Sequence, residues 1–409
     1  MSSQIGQELR SLGIAKVLVY LKKPVAAGAP RWSAKTRRDL RRHFIASPLS
    51  QAGALARAGL GARRIPGVIL YPGLGILLGT VTREGLAGLK AEKEAVVRVT
   101  GAPSVSLIRP THAEPAKLTR GVTWGIEKLG VPQLWKQGLT GKGVLVGHLD
   151  TGIDGRHPAL KGAIKGFAEF DLMGRLKRPS PGPHDTGDHG THTAATIAGR
   201  AVAGRSVGVA PGAMLAGAIV IEDGDVVARV LGGMDWAVTS GARVLSMSLG
   251  FRGWRDDFTT LVDRLRALNV LPVFAVGNEG PGTSRSPGNY WQALSVGAVD
   301  RELRVADFSS SQQFKRARDP VVPDLVAPGV DVVSARPGVG WQAMDGTSMA
   351  TPHIAGLAAL LLEAKPKARA SDIESAIFKS CRPGPGMDPT RGNRGIPDAR
   401  RALDALVKT

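Results

Sequence analysis

Residues 345–364 read DGTSMATPHIAGLAALLLEA. From Met349 onward the stretch is apolar over a length that suits a buried helix. Gly346 permits a sharp turn ahead of it, and Thr347 is a suitable helix cap. Ser348 then falls in the first turn of a core helix, at the positive end of its dipole. A hydroxyl there can be a plain cap. It can equally be a nucleophile, because that helix end favours developing negative charge. Serine is a weak nucleophile by itself and needs a base and an orienting acid. The rest of the chain decides between the two readings.

Outward from that helix, the sequence from about residue 122 alternates strands and helices. GVLVGHLD (143–150), AMLAGAIVI (213–221), ARVLSMSLG (242–250), VLPVFAVGN (270–278), ALSVGAV (293–299) and PDLVAPG (323–329) read as strands. VVARVLGGMDWAVTSG (226–241) and FTTLVDRLRALN (258–269) read as helices, as do segments near 370–380 and 397–407. This alternation predicts a three-layer, doubly wound, mostly parallel α/β sheet covered on both faces. Sites in such folds lie outside the carboxyl ends of the strands. Asp150, Gly250 and Asn278 all fall there, so one cleft can collect them.

Before this region, residues 14–110 mix strand-like runs (AKVLVYL, GILLGTVT) with helical patterns (SPLSQAGALARAGL, TREGLAGLKAEK) and end in a strand-like tail, AVVRVTGAPSVSLIRP. They predict a small α+β domain over 1–110. THAEPAKLTRG (111–121) is polar, contains proline and has no apolar period, so it reads as a linker to a domain over 122–409.

The chain of 409 residues carries a net charge of +20, of which +14 lies in residues 1–120 and is densest in KTRRDLRRHF (35–44). No aromatic platform or nucleic-acid motif accompanies these charges, so they read as a solvated face rather than a nucleic-acid surface. The single cysteine, Cys381, excludes an intramolecular disulfide framework. No run reaches the length of a membrane span, and the first residues lack the pattern of a signal peptide.

Asp150 lies in LDTGIDGRHP, His189 in HGTHTAATIAG, Asn278 in FAVGNEG, and Ser348 in GTSMATPHIAG; SMSLG (246–250) precedes the last two. His189 and His192 at i and i+3 could suggest zinc, but no further ligand with a recognised spacing joins them. These five motifs, in this order, resemble those of the subtilisin-like serine proteases, over roughly residues 122–405. The order Asp, His, Ser is that of subtilisin.

The resemblance implies an endopeptidase with Ser348 as nucleophile, His189 as general base and Asp150 as the acid that orients it. It implies Asn278 as oxyanion donor, supported by Thr347. His157, His192 and His353 read as structural. Ser248, Leu249 and Gly250 resemble the strand that pairs with an extended polypeptide substrate. Ala275, Val276 and Gly277 resemble a wall of the primary specificity pocket, with Glu279 lending its rim negative charge. Large apolar residues, and some basic ones, are the expected preference.

No cofactor is required. Calcium is common in the family, but AGRAVAGRSVGVAPGA (198–213), at the usual loop, has no carboxylate and no asparagine. Asp171 is the remaining place for a weak site. The first domain resembles an inhibitory propeptide, which implies a self-processing zymogen with its own N-terminal domain as intramolecular inhibitor. Cleavage is expected within 111–121, near Leu118. The missing signal pattern favours the cytoplasm, whereas the family favours export. The alternative is a protease-fold binding or chaperone-like module whose cleft stays occluded.

Overall fold

The computed structural model describes residues 3–22, 34–45, 67–117, 119–221 and 224–408. The chain forms two compact units, Met1–Ser104 and Val105–Thr409. The expected helix over 47–60 lies outside the described residues.

The first unit is an antiparallel sheet in the order Val68–Tyr71, Ile76–Thr82, Ile14–Leu21, Val96–Gly101. Ile14–Leu21 is central and almost wholly buried. Helices Ser3–Ser11 and Arg83–Ala91 add Ile5, Leu9, Leu86 and Leu89 to one core with Val17 and Val19. Thr82 caps the second helix by accepting from the Gly85 amide at 3.1 Å.

In the second unit, seven parallel strands run in the order Leu325–Pro328, Leu294–Val299, Leu271–Ala275, Val244–Met247, Leu145–Asp150, Met214–Ile219, Ile164–Glu169. Their near-continuous apolar sequences fit burial on both faces. The strand order reverses direction beside Leu145–Asp150, and that switch point is where an open α/β sheet offers a crevice. Helix Thr347–Ala364 packs on this sheet and on helix His189–Ala198. Residues 347–362 of it are all buried. The fold is thus the α/β class expected from the sequence.

The structure adds to or departs from the sequence expectations at four places. The run 242–250 is not one strand: Val244–Met247 stays in the sheet, while Leu249–Arg252 leaves it to join a small antiparallel sheet. The edge strand Ile164–Glu169 was not expected, because its charged residues interrupt the apolar pattern. Residues 111–121, read as a linker, contain a strand, since His112–Ala116 pairs antiparallel with Trp341–Asp345. That strand is invisible to an apolar pattern because its first four residues are exposed. Finally, Thr347 makes no side-chain cap; Gly346 occupies the cap position. Gly346 is backbone-extended, and its small size matters instead: a Cβ there would lie 3.1 Å from Asn278 Nδ2.

Candidate active site

Asp150 ends the strand at the switch point, and His189 begins a helix that packs against that strand. Gly190 makes their approach possible, since a Cβ there would sit 2.1 Å from the Gly152 carbonyl oxygen. His189 Nδ1 and Asp150 Oδ1 are 2.7 Å apart. Asp150 also accepts from the Thr151 amide at 2.8 Å and from the Thr193 hydroxyl at 3.2 Å. Thr193 in turn meets His148 Nε2 at 2.8 Å. Burial alone would push the Asp150 carboxyl up, but His189 outweighs it and holds the group below its ordinary range. Burial likewise opposes the His189 cation, yet Asp150 outweighs it and raises the imidazole above its ordinary value. Desolvation lowers His148, which leaves it neutral beside the pair. His148 and Thr193 carry no sequence signal of their own; only the fold brings them to Asp150.

Ser348 is fully buried in the first turn of its helix. Pro352, four residues on, has no N–H, so the Ser348 carbonyl loses its helical donor. It accepts from the Ser248 hydroxyl instead, at 3.4 Å. Asn278 is oriented from the same helix: its Oδ1 accepts from the Thr347 amide and hydroxyl at 2.9 and 2.8 Å. The amide nitrogen is thereby turned toward the cleft.

Residues 105–116 run through that cleft. Ser106 and Leu107 pair antiparallel with Gly250 and Leu249. The Ile108 amide continues the ladder by donating to the Ser248 carbonyl at 3.0 Å. Ser348 Oγ donates to the Ile108 carbonyl at 2.7 Å. Asn278 Nδ2 donates to the next carbonyl, that of Arg109, at 2.8 Å. Beyond Pro110, the Thr111 amide donates to the Asp345 carbonyl at 2.9 Å, and the His112–Ala116 strand follows. His189 Nε2 is buried and has no hydrogen-bond partner among the described residues. The serine proton is therefore directed to the strand and not to the imidazole. Leu118, near which cleavage is expected, lies outside the described residues; Ile108 and Arg109 occupy the cleft.

Ala275, Val276 and Gly277 leave the sheet beside Asn278. Gly277 has φ of 123°, a conformation that favours glycine, and a Cβ there would meet Glu279 Oε2 and the Arg285 side chain. Arg285 is a further residue that the sequence did not single out. Its Nε donates to Glu279 Oε1 at 2.8 Å and its Nη2 donates to the same oxygen. Burial would raise Glu279, but Arg285 outweighs it and keeps the carboxylate ionised. The negative rim expected from Glu279 is thus corrected: a guanidinium neutralises it.

His157, His192 and His353 each contact a backbone carbonyl, of Gly340, Val332 and Met349 respectively. Burial lowers His192 to about 3 and His353 to about 4, so both are neutral near pH 7. Asp171 accepts from the Met173 and Arg175 amides of its own turn. At the usual calcium loop the residues do not fit the ion. The Arg200 guanidinium donates to the carbonyls of Ala198, Ala213 and Gly162 at 2.8, 3.0 and 3.3 Å, placing a cation of the chain itself there. Among the described residues no three His, Cys, Asp or Glu side chains cluster as metal ligands. No described helix is long and apolar enough to cross a membrane.

The profile of the Subtilase family matches residues 141–399. The chain is 38% identical over 266 residues to M-protease of Shouchella clausii (strain KSM-K16), covering 64% of this chain and 65% of that protein. It is 34% identical over 286 residues to subtilisin E of Bacillus subtilis (strain 168), covering 68% and 71%. It is 38% identical over 249 residues to subtilisin Savinase of Lederbergia lenta, covering 60% and 86%. The match thus spans slightly under two thirds of M-protease.

Proposed function

The chain belongs to the subtilase family, and from that premise we propose that it is a serine endopeptidase, made as a zymogen, that hydrolyses extended polypeptides. The observation that carries the reading is the convergence on one strand. Ser348 Oγ and Asn278 Nδ2 contact neighbouring carbonyls of it, and His189, set by Asp150 at 2.7 Å, presents an Nε2 with no partner among the described residues.

In the proposed reaction Ser348 Oγ attacks the substrate carbonyl carbon while its proton passes to His189 Nε2. The carbonyl π electrons move to the oxygen, and Asn278 Nδ2 stabilises the oxyanion. Asp150 accepts from His189 Nδ1–H, which fixes the tautomer and favours the imidazolium. Collapse of the intermediate breaks the C–N bond, and His189 returns the proton to the leaving amine. Water, activated by the same imidazole, then hydrolyses the acyl-enzyme. Ser248–Gly250 supply main-chain pairing for the substrate, as they do for Ser106–Ile108.

The zymogen reading rests on the strand in the cleft. Productive attack needs nucleophile and oxyanion donor on one carbonyl. Here they engage two, those of Ile108 and Arg109. Residues 105–116 thus act as an intramolecular inhibitor that is a poor substrate, and processing within 105–121 releases the cleft. The first unit is the propeptide-like domain that precedes this segment. Test: the purified chain should hydrolyse casein and take up a fluorophosphonate label, and Ser348→Ala should do neither. An unlabelled wild type that leaves casein intact would overturn the reading.

A further inference from the structure

We infer that Arg285 is a specificity-determining residue that selects an oxygen acceptor, carboxylate before hydroxyl, at the substrate position held here by Ser106. The inference rests on the endopeptidase reading and adds a substrate class to it: polypeptides acidic two residues before the acylated one. The place is defined by the ladder. Ile108 is the residue whose carbonyl Ser348 contacts, and Ser106 lies two residues upstream, paired with Gly250.

The three strands involved are adjacent. Arg285–Ser286 pairs with one edge of Leu249–Arg252, and Ser106–Leu107 with the other. Between them Gly250 has no side chain, and a Cβ there would lie 3.3 Å from Arg285 Cβ. The arginine therefore reaches past Gly250, and its Nη1 donates to the Ser106 hydroxyl at 2.9 Å. Only 7% of Arg285 is exposed, so the guanidinium is held rather than mobile. Nε and Nη2 are taken by Glu279 Oε1, which leaves Nη1 for the substrate.

Charge points the same way. Glu279 Oε2 already accepts from the Asn278 amide at 3.2 Å and the Ser310 hydroxyl at 3.4 Å. Arg252 adds a second guanidinium, 3.8 Å from Glu279 Oε1. Two cations thus share one carboxylate, and the position beside them is positive. A carboxylate arriving there gains a charge-assisted hydrogen bond, whereas a lysine meets like charge.

The test uses the full chain, with active sites counted by fluorophosphonate, and quenched peptides that carry Glu, Ser, Ala or Lys at the Ser106 position. Wild type should prefer Glu over Lys by about 10- to 100-fold in kcat/KM. Arg285→Met should erase or invert that ratio, because only the more distant Arg252, 3.8 Å away, then faces Glu279. Glu279→Gln should increase it, which keeps the test alive if the arginine variant fails to fold. A wild type that labels and cleaves every peptide within about twofold would overturn this inference and leave the peptidase reading standing. A wild type that neither labels nor cleaves would overturn both.

Discussion

The segment in the cleft is held in two different ways on the two sides of Ser348. Upstream, Val105 and Ile108 are 8% and 1% exposed, and Ser106 is bound through its hydroxyl. Downstream, His112–Ala116 pairs with Trp341–Asp345 at five positions, yet its first four residues face solvent. The upstream side engages side chains as well as backbone; the downstream side is held chiefly through backbone. On the proposed reading, the upstream side is where sequence is read, and the downstream side accepts many sequences while adding hold. Pro115 within the downstream strand fits an edge position, where a missing N–H is tolerated.

The contrast presupposes a working nucleophile between the two sides. Ser348→Ala should lower kcat on casein on the order of 10⁶-fold. Asp150→Asn should cost about 10⁴-fold, by leaving His189 in the wrong tautomer. The same variant tests the pH dependence. The active imidazole is neutral, and Asp150 raises its pKa. In wild type, kcat/KM should therefore climb with pH through a midpoint above the ordinary histidine value. In Asp150→Asn burial is opposed only by the weaker pull of Asp185 and Asp188, so the midpoint should move down. Asn278→Ala should cost roughly 100- to 1000-fold in kcat with KM little changed, the range established in subtilisin itself.

Smaller effects sharpen the contrast between the two sides. Ile108→Asp places a carboxylate in a buried apolar position, so the segment should release about 10- to 100-fold more readily, seen as earlier activity in the full chain. Glu114→Ala, on the backbone-gripped side, should change that onset less than about twofold. Equal responses from the two would erase the distinction.

The parallel sheet and the residues of the proposed triad were legible because each carries its own local signal. Long apolar runs mark buried strands, and Asp150, His189 and Ser348 sit in compact motifs. What escaped depends on pairing between distant segments. His112–Ala116 is a strand only because Trp341–Asp345 offers an edge. Arg285 stands in a loop-like run, GPGTSRSPGNY, and nothing in that run reveals that Gly250 leaves a path to Ser106. His148 reads as an ordinary strand residue until Thr193 connects it to Asp150. Glu279 read as free negative charge because its partner, six residues on, was not recognised.

The measurement that bears most directly on the account is a time course of intact mass for wild type and Ser348→Ala, followed beside peptidase activity. Wild type should be cut within residues 105–121, with activity appearing as the cut accumulates, while the variant stays full length. Full activity in an uncut chain, or the same cut in purified Ser348→Ala, would contradict it.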